Sequence, residues 1–129
     1  MGQYIVKLKD RYLIWSSVVD APLCTCDTLD DLTTWIRQTS GTEGLRELPA
    51  RMARVEAKGT SSLGDDSAVD TIWLNRAGPD ESTLTIEGIY RHFCLDEPIK
   101  DEWIVPRELV MDDEYDTYGA VVAGWEDDA

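Results

Sequence analysis

The N-terminal part of the chain carries two short runs of extended-chain character. In residues 4–8 apolar and polar positions alternate with a period of two, which is typical of a strand with one buried face. A polar break at residues 9–11 separates this run from residues 12–19, which are rich in aromatic and β-branched side chains. The pattern predicts a β-hairpin. We expect Pro22 to end the second strand, because proline has no N–H to donate to a neighbouring strand.

Apolar spacing changes to a helical period after this hairpin. A helix is predicted to begin at Thr28, whose hydroxyl can cap it, and to end at Gly41. Its apolar stripe consists of Leu29, Leu32, Trp35 and Ile36. A second helix is predicted over residues 49–58, with Pro49 in its first turn, where a missing N–H costs nothing. Gly59 is expected to end it.

The sequence patterns that predict secondary structure become weaker after Gly59. Residues 59–68 have loop composition, and their aspartates favour an exposed acidic loop. Residues 69–75 predict a short strand, since an apolar run here is bounded by a turn signal. Thr85 is expected to cap a short helix across residues 86–95. The apolar run 103–105 predicts a further short strand or a packed loop.

These elements predict a single α+β domain spanning residues 1–129. We expect the hairpin to lie in a small, mostly antiparallel sheet, with two or three helices packed on one face of it. A length of 129 residues with 43% hydrophobic residues fits one domain with a buried core. The five tryptophans are spread over the whole chain, and Trp15, Trp35 and Trp73 are predicted to be buried in one common core.

The charge composition narrows the classes of partner. The chain has 26 acidic and 12 basic residues, a net charge of −14. Such a charge argues against direct binding to nucleic acid or to an anionic membrane surface. No apolar run reaches the roughly 18 residues of a membrane span, and no basic, then apolar leader opens the sequence. We therefore expect a cytoplasmic protein.

Three cysteines and one histidine form the one constellation with metal-ligand chemistry. Cys24, Cys26, His92 and Cys94 together would make a zinc-type ligand set. Their spacing opposes it, because zinc sites usually separate paired ligands by two to four residues. In a helix over residues 86–95, moreover, His92 and Cys94 would point about 200° apart. The other interpretation is a set of ordinary reduced thiols with a structural or exposed histidine, and we expect no metal and no cofactor.

A short basic stripe lies on the second predicted helix. Arg51, Arg54 and Lys58 fall near one another around its axis. Such a stripe could grip an acidic ligand. The alternative is a solvated face whose cations pair with carboxylates elsewhere in the chain.

The last third of the chain concentrates the negative charge. Residues 95–129 hold twelve acidic and two basic residues, and so carry −10 of the total −14. Short apolar runs within this segment indicate that it is not simply a disordered acidic tail. Its densest acidic run, with two tyrosines, is the predicted partner-binding site. The candidate residues are Asp112, Asp113, Glu114, Tyr115, Asp116 and Tyr118.

Three stretches resemble small uncharacterised proteins of actinobacteria and their phages. The stretches are YIVKL at residues 4–8, WSSVVDAP at residues 15–22 and RMARVEAKGTSS at residues 51–62. The resemblance covers the first ninety residues or so and includes no motif tied to an activity. It implies an origin in a phage or another mobile element, and it transfers no functional residue.

Three classes of function remain open at this point. The first is an acidic binding protein whose carboxylates imitate the charge of DNA, so that it inhibits or modulates a basic, nucleic-acid-binding host protein. The second is a phage structural or accessory assembly protein that docks through exposed tryptophans. The third is a carboxylate-based hydrolase, for which the sequence offers abundant acids but no fixed pair. We expect a binding protein and not an enzyme; an evenly spread, merely solubilising charge is the competing interpretation.

Overall fold

The computed structural model describes residues 3–64, 67–72 and 75–105. Within these ranges the strands form one antiparallel sheet in the order β1-β2-β3. The strands are β1 (Gln3–Leu8), β2 (Arg11–Ser16) and β3 (Ala21–Cys26). Helices follow the sheet in the chain, and the predicted α+β class is confirmed.

The predicted hairpin is formed by β1 and β2. Val6 lies opposite Leu13 and Ile5 lies opposite Ile14, so apolar residues pair across both faces of the hairpin. Residues 9 and 10 form the turn, in which Lys9 adopts a positive φ of 55°. The hairpin is confirmed, but Ile5 and Val6 are both buried, so β1 has two buried faces and not the single one that the alternation indicates.

The second strand is shorter than predicted, and a third strand replaces its far end. The chain turns at residues 17–20, where the Ser16 hydroxyl accepts hydrogen bonds from the N–H groups of Val18 and Val19. Pro22 does not end a strand but lies inside β3. The register between β2 and β3 shifts between Ile14 and Trp15, and β3 lies at the end of the strand order. Edge strands and bulges are the places where a sheet tolerates proline.

A long helix, α1 (Leu29–Lys58), follows β3. The Thr28 hydroxyl caps it as predicted, accepting a hydrogen bond of 3.1 Å from the backbone N–H of Asp31. A kink at Gly41, with φ 61° and ψ −151°, divides α1 where the first helix was expected to end. Gly59 ends the second half in the left-handed conformation, and its N–H bonds to the Val55 carbonyl at 2.7 Å.

The second half of α1 begins earlier than the predicted residue 49. Helical structure resumes directly after Gly41, so that Pro49 lies inside the helix and not in a first turn. Proline there removes one backbone hydrogen bond. Leu48 is buried against the sheet and Leu45 packs beside it. This burial offsets the lost bond, which is why local sequence signals misplace the boundary.

Both faces of the sheet are covered, whereas helices were expected on one. On the first face, the α1-side core consists of Ile5, Tyr12, Ile14, Cys26, Leu32, Ile36, Leu48 and Val55. On the opposite face, the second core consists of Val6, Leu8, Leu13, Trp15, Ile72, Leu84, Ile86, Ile89 and Trp103. Adjacent strand residues point to opposite faces, so the alternating apolar residues feed two cores.

The described tryptophans therefore do not share one core. Trp15 is 1% exposed in the second core, and Trp103 joins it there. Trp35 is half-buried and packs against the α1-side core on the other face. Trp73 and Trp125 lie outside the described residues. The expected common core of Trp15 and Trp35 is wrong, because the sheet separates the two side chains.

The segment after α1 covers the outer edge of β1. Gly59 and Ser61 exchange backbone hydrogen bonds with Lys7 and Ile5, at 2.8 and 2.9 Å. The Ser61 hydroxyl also accepts the N–H of Ile5 at 2.8 Å. Thr60, Ser61 and Ser62 are buried, so the first half of the predicted exposed loop is part of the fold. Asp65 and Asp66 lie outside the described residues.

Residues 68–105 build the cover of the second face. The strand expected at residues 69–75 is wrong: residues 68–72 form a short helix, α2 (Ala68–Ile72), whose Thr71 N–H bonds to the Ser67 carbonyl at 3.0 Å. These local hydrogen bonds satisfy the backbone while Ile72 enters the second core. Trp73 and Leu74, the centre of the expected strand, lie outside the described residues.

The helix predicted after Thr85 is confirmed. The Thr85 hydroxyl accepts the N–H of Gly88 at 3.1 Å and caps α3 (Ile86–Ile89), which continues into one π-helical turn at Tyr90–Cys94. Two short 3-10 turns, Pro79–Glu81 and Asp101–Trp103, flank this region. An isolated antiparallel bridge then joins Leu84 to Ile104, so residues 103–105 form a packed loop.

Candidate functional site

The predicted partner-binding run lies outside the described residues. This applies to Asp112, Asp113, Glu114, Tyr115, Asp116 and Tyr118 alike. Their role in binding stays a prediction. The described part of the chain nevertheless contains a surface of the same chemical character.

A small groove, here called the acidic groove, lies where β3, the start of α1 and the π-helical turn meet. Its volume is about 440 Å³, and three aspartates, Asp27, Asp31 and Asp96, line it. Two aromatic residues, Trp35 and Phe93, also line it. Carboxylates together with aromatic rings are the groups that bind organic cations in proteins.

Three different elements supply these carboxylates. Asp27 directly follows β3, and Asp31 lies in the first turn of α1, where an acidic residue is favoured by the helix dipole. Asp96 follows the π-helical turn and adopts a positive φ of 60°, a conformation that aspartate tolerates better than most residues. π-helical turns are frequent at functional sites because they redirect side chains out of the regular helical pattern. Here the turn brings Phe93 to the groove.

A guanidinium group already lies at the margin of the acidic groove. Arg11 Nη1 donates to Asp27 Oδ1 and to the Cys94 carbonyl oxygen, each at 3.2 Å. In contrast, neither Asp31 nor Asp96 makes an ion pair with a basic residue in the described ranges. The groove thus combines one compensated carboxylate with two uncompensated ones.

Two of the cysteines line this groove. Cys26 from β3 and Cys94 from the π-helical turn both line it. Burial raises the pKa of the Cys26 thiol to about 12, and the neighbouring Cys24 and the carboxylates of Asp31 and Asp27 act in the same direction. Burial raises the pKa of Cys94 to about 11, although nearby Arg11 opposes this shift. Both thiols are therefore protonated at neutral pH and poor nucleophiles.

The suspected zinc ligands do not come together in the described residues. Cys24 and Cys26 share one face of β3, but His92 Nδ1 lies 2.8 Å from the Glu97 carbonyl oxygen and the ring packs edge-on to Phe93. Within residues 3–64, 67–72 and 75–105, no three cysteine, histidine or acidic side chains are grouped to hold a metal ion. That the purified protein lacks zinc stays a prediction, which elemental analysis tests.

Two of the three cations in the basic stripe of α1 bind backbone carbonyls, and none of the three forms an ion pair with a carboxylate in the described ranges. Arg54 Nε donates to the Ser61 carbonyl at 2.8 Å. Lys58 Nζ donates to the carbonyls of Ser62, at 2.6 Å, and Gly64. These two cations thus hold the segment after α1 in place. Arg51, by contrast, makes no hydrogen bond or ion pair with any residue in the described ranges.

The tryptophans that the structure describes offer no exposed docking face. Trp15 and Trp103 are buried, and Trp35 is half-buried beside the acidic groove. An assembly role through Trp15, Trp35 or Trp103 is therefore not supported.

The sequence contains no signal that singles out the acidic groove. Asp27 and Asp31 are explained by the start of α1, and Asp96 is one of many acids in the last third. Their convergence depends on how the π-helical turn packs beside β3. A long-range contact of this kind is set by tertiary structure, and no local pattern encodes it.

Comparison with known proteins adds no relative: no family model, curated protein or solved structure matches this chain. Among the helices in the described ranges, none has the length and apolar character needed to cross a membrane.

Proposed function

We propose that this protein binds, and thereby inhibits or modulates, a basic protein that normally binds nucleic acid. The proposed contact surface is acidic. The acidic groove accepts a lysine or arginine side chain of the partner, and the carboxylates of the run 112–116 contribute negative charge that attracts it. The resemblance to small proteins of actinobacteria and their phages makes a host nucleic-acid-binding protein the partner class we favour.

The observation that carries this proposal is the set of uncompensated carboxylates in the acidic groove. Asp31 and Asp96 reach it from separate elements and have no basic partner in the described part of the chain. A volume of about 440 Å³ is sufficient for one long side chain. The Arg11 guanidinium, bound to Asp27 at 3.2 Å, is an intramolecular example of the group that the groove accepts.

The use of basic residues elsewhere supports the same proposal. Arg46 pairs with Glu43 at 2.8 Å, and Arg76 pairs with Glu81 at 3.2 Å. Arg91 similarly pairs with Glu87 and Glu97. Because these cations are neutralised by local partners, they do not offset the acidic groove. Within the described ranges, the carboxylates of Asp31 and Asp96 therefore remain available to a cation of the partner.

The magnitude of the charge is adequate for DNA mimicry. Duplex DNA carries one negative charge per about 1.7 Å of its axis. The net charge of −10 on residues 95–129 corresponds to roughly 17 Å of duplex, which is within the diameter of a small domain. In the proposed complex this charge steers the basic partner, and the acidic groove fixes its orientation.

The test begins with identification of the partner. The full chain is immobilised and exposed to an actinobacterial lysate at low salt, and bound proteins are then released with duplex DNA. Basic nucleic-acid-binding proteins should be released by DNA but not by an uncharged polymer. The dissociation constant of one such protein is then measured with the wild-type chain and with the double variant D31N/D96N. We expect affinity to fall by about tenfold or more.

A matched control separates the groove from net charge. The double variant D30N/D101N removes two exposed carboxylates that do not line the acidic groove, and it changes the net charge equally. Asparagine at position 96 tolerates the positive φ of that residue, so the groove backbone is kept. If both double variants lose the same affinity for the partner, the effect comes from net charge and not from the acidic groove. If DNA releases no basic protein, the proposed function is wrong.

A further inference from the structure

A second and larger groove lies on the opposite half of α1. It has a volume of about 1060 Å³ and lies between the second half of α1, the start of β1 and the segment 61–64. We call it the basic groove, because three arginines, Arg46, Arg51 and Arg54, line it. Two carboxylates, Glu43 and Glu47, line it as well.

The three arginines of the basic groove differ in how they are engaged. Arg46 is exposed and pairs with Glu43 at 2.8 Å, and Arg54 donates to the Ser61 carbonyl. Arg51 is half-buried and has no hydrogen-bond acceptor among the described residues. Burial lowers the pKa of its guanidinium, nearby Glu47 opposes this shift and nearby Arg54 adds to it. A half-buried cation without an acceptor is stabilised when an anion binds it.

A residue with a buried and unpaired hydroxyl group lines the same groove. Ser62 is 5% exposed, and its Oγ atom has no hydrogen-bond partner in the described structure. Leaving a buried hydroxyl unpaired is unfavourable, and native proteins rarely do so. Its neighbour, Ser61, uses its own hydroxyl to accept the N–H of Ile5, so the two serines have different roles. Ser62, which lines the basic groove together with Arg51, therefore carries a hydroxyl whose hydrogen-bonding capacity is unused in the fold.

We propose that the basic groove binds a small phosphorylated molecule, whose phosphate group is held by Arg51 and by the hydroxyl of Ser62. The planar fork of an arginine donates two parallel hydrogen bonds to a phosphate, and a serine hydroxyl donates a further one. A volume of about 1060 Å³ is far larger than a phosphate ion needs, so the groove has room for the organic part of the ligand. Arg54 and Lys58 contribute by fixing the backbone of the segment that carries Ser62.

This site is separate from the acidic groove and does not depend on the proposed function. Within the basic stripe of α1, this proposal assigns ligand binding to Arg51 and a structural role to Arg54 and Lys58. The two cations that hold the segment are structural, and the third is available to a ligand.

The test uses three probes on the full-length protein. Inorganic phosphate, adenosine 5′-monophosphate and adenosine are titrated while two-dimensional ¹H–¹⁵N NMR spectra are recorded. We expect phosphate and the monophosphate to shift the amide signals of residues 51, 54 and 61–64, and the monophosphate to bind more tightly. Adenosine should bind at least about tenfold more weakly than its monophosphate, because it lacks the charged group.

Two variants and one control assign the binding residues. R51Q should weaken monophosphate binding by about tenfold or more, because it removes a charge-assisted contact. R37Q is the matched control, since Arg37 is an exposed arginine of α1 that does not line the basic groove, and it should bind like the wild type. S62A should weaken binding by about threefold or more without lowering resistance to urea, because the hydroxyl it removes has no partner in the fold.

Several results would overturn the proposal. One is that neither phosphate probe binds at millimolar concentration, and another is that adenosine binds as tightly as its monophosphate. A third is that R51Q and R37Q change the affinity for the monophosphate equally. An S62A variant that binds like the wild type would remove Ser62 from the site and contradict the proposal as stated. Because S62A deletes an unpaired group, it remains informative even if R51Q folds poorly.

Discussion

The acidic groove and the basic groove are built on the two halves of one helix, yet they use charge in opposite ways. In the acidic groove, Asp31 and Asp96 have no ionic partner in the described residues. In the basic groove, Arg54 is bound to a backbone carbonyl and Arg46 to a carboxylate, so that Arg51 alone among its three arginines lacks an acceptor there. A net charge of −14 thus does not by itself describe this surface, because each groove combines charged groups that are paired with charged groups that are not.

The direction of α1 contributes to this separation. Acidic residues stand in its first turn and Lys58 in its last, as the helix dipole favours. The dipole therefore biases one helix end toward carboxylates and the other toward cations. Which of these groups remain unpartnered is decided by the neighbouring segments. The π-helical turn adds Asp96 at one end, and the segment after Gly59 supplies carbonyls at the other.

The largest effect is expected from a substitution that weakens the packing of α1 against the sheet, because both grooves are built on α1. Ile36 is 1% exposed and packs in the α1-side core together with the sheet residues Ile5 and Ile14. I36A should lower the free energy of unfolding by about 2–5 kcal/mol, because it leaves a cavity in the α1-side core. Urea denaturation followed by circular dichroism measures this loss, and binding at both grooves should weaken together.

The neighbouring residue is the control for that experiment. W35A removes a half-buried side chain that lines the acidic groove, so its cost in stability should be smaller than that of I36A. It should weaken binding at the acidic groove while leaving the basic groove unchanged. A larger loss of stability in W35A than in I36A would show that Trp35 is a central core residue.

The next prediction distinguishes a structural cation from a ligand-binding one. R54Q removes the 2.8 Å hydrogen bond from Nε to the Ser61 carbonyl and should destabilise the fold by roughly 1–3 kcal/mol. R51Q loses no hydrogen bond with a described residue and should change stability by less than about 0.5 kcal/mol. Midpoints of urea unfolding compare the two. Equal destabilisation would place Arg51 in a structural role and remove the contrast within the basic groove.

A smaller effect is expected from the acidic run 112–116. Converting Asp112, Asp113, Glu114 and Asp116 to their amides should slow association with a basic partner several-fold more than it speeds dissociation. Stability should change little, since like charges close together in the sequence repel one another and their removal relieves that repulsion.

The salt dependence of that effect is a further measurement. Screening lengths shorten from about 30 Å at 0.01 M to about 8 Å at physiological ionic strength. Surface plasmon resonance at both salt concentrations should show the difference between wild type and variant shrinking as salt rises. An unchanged affinity at low salt would mean that this run is merely a solvated surface.

The smallest expected effect concerns the thiol of Cys26. Its pKa of about 12 lies well above neutrality, so the rate of alkylation should rise about tenfold per pH unit between pH 8 and 10. D31N removes one negative charge that disfavours the thiolate, which lowers the pKa of Cys26 and should speed alkylation a few-fold at a given pH. Mass spectrometry of peptides after timed iodoacetamide treatment gives the rates.

D30N is the matched control for the thiol. Asp30 lies in the same helical turn as Asp31 but does not line the acidic groove. The raised pKa of Cys26 is due mainly to burial, and Asp30 is not among the charges that shift it. If D30N and D31N are alkylated at the same rate, the charge of Asp31 has no specific effect on the pKa of the Cys26 thiol.

Local signals in the sequence determined several elements of this protein. The alternation in residues 4–8 predicts β1, the Thr28 cap and Gly41 bound the first half of α1, and Thr85 starts α3 as expected. Each of these features depends on contacts within a few residues: a strand period, a capping hydroxyl, or a glycine with positive φ. The α+β class follows from them, as does the negative charge.

Tertiary structure alone decided what lies between those elements. Pro22 stands inside an edge strand, residues 68–72 are helical where a strand was predicted, and Trp15 and Trp35 lie on opposite faces of the sheet. In each case burial against distant segments outweighs a local propensity of a few tenths of a kcal/mol. The two grooves have the same origin. The sequence determined the carboxylates of one and the arginines of the other, but packing between distant segments decided which of them meet and which remain without partners.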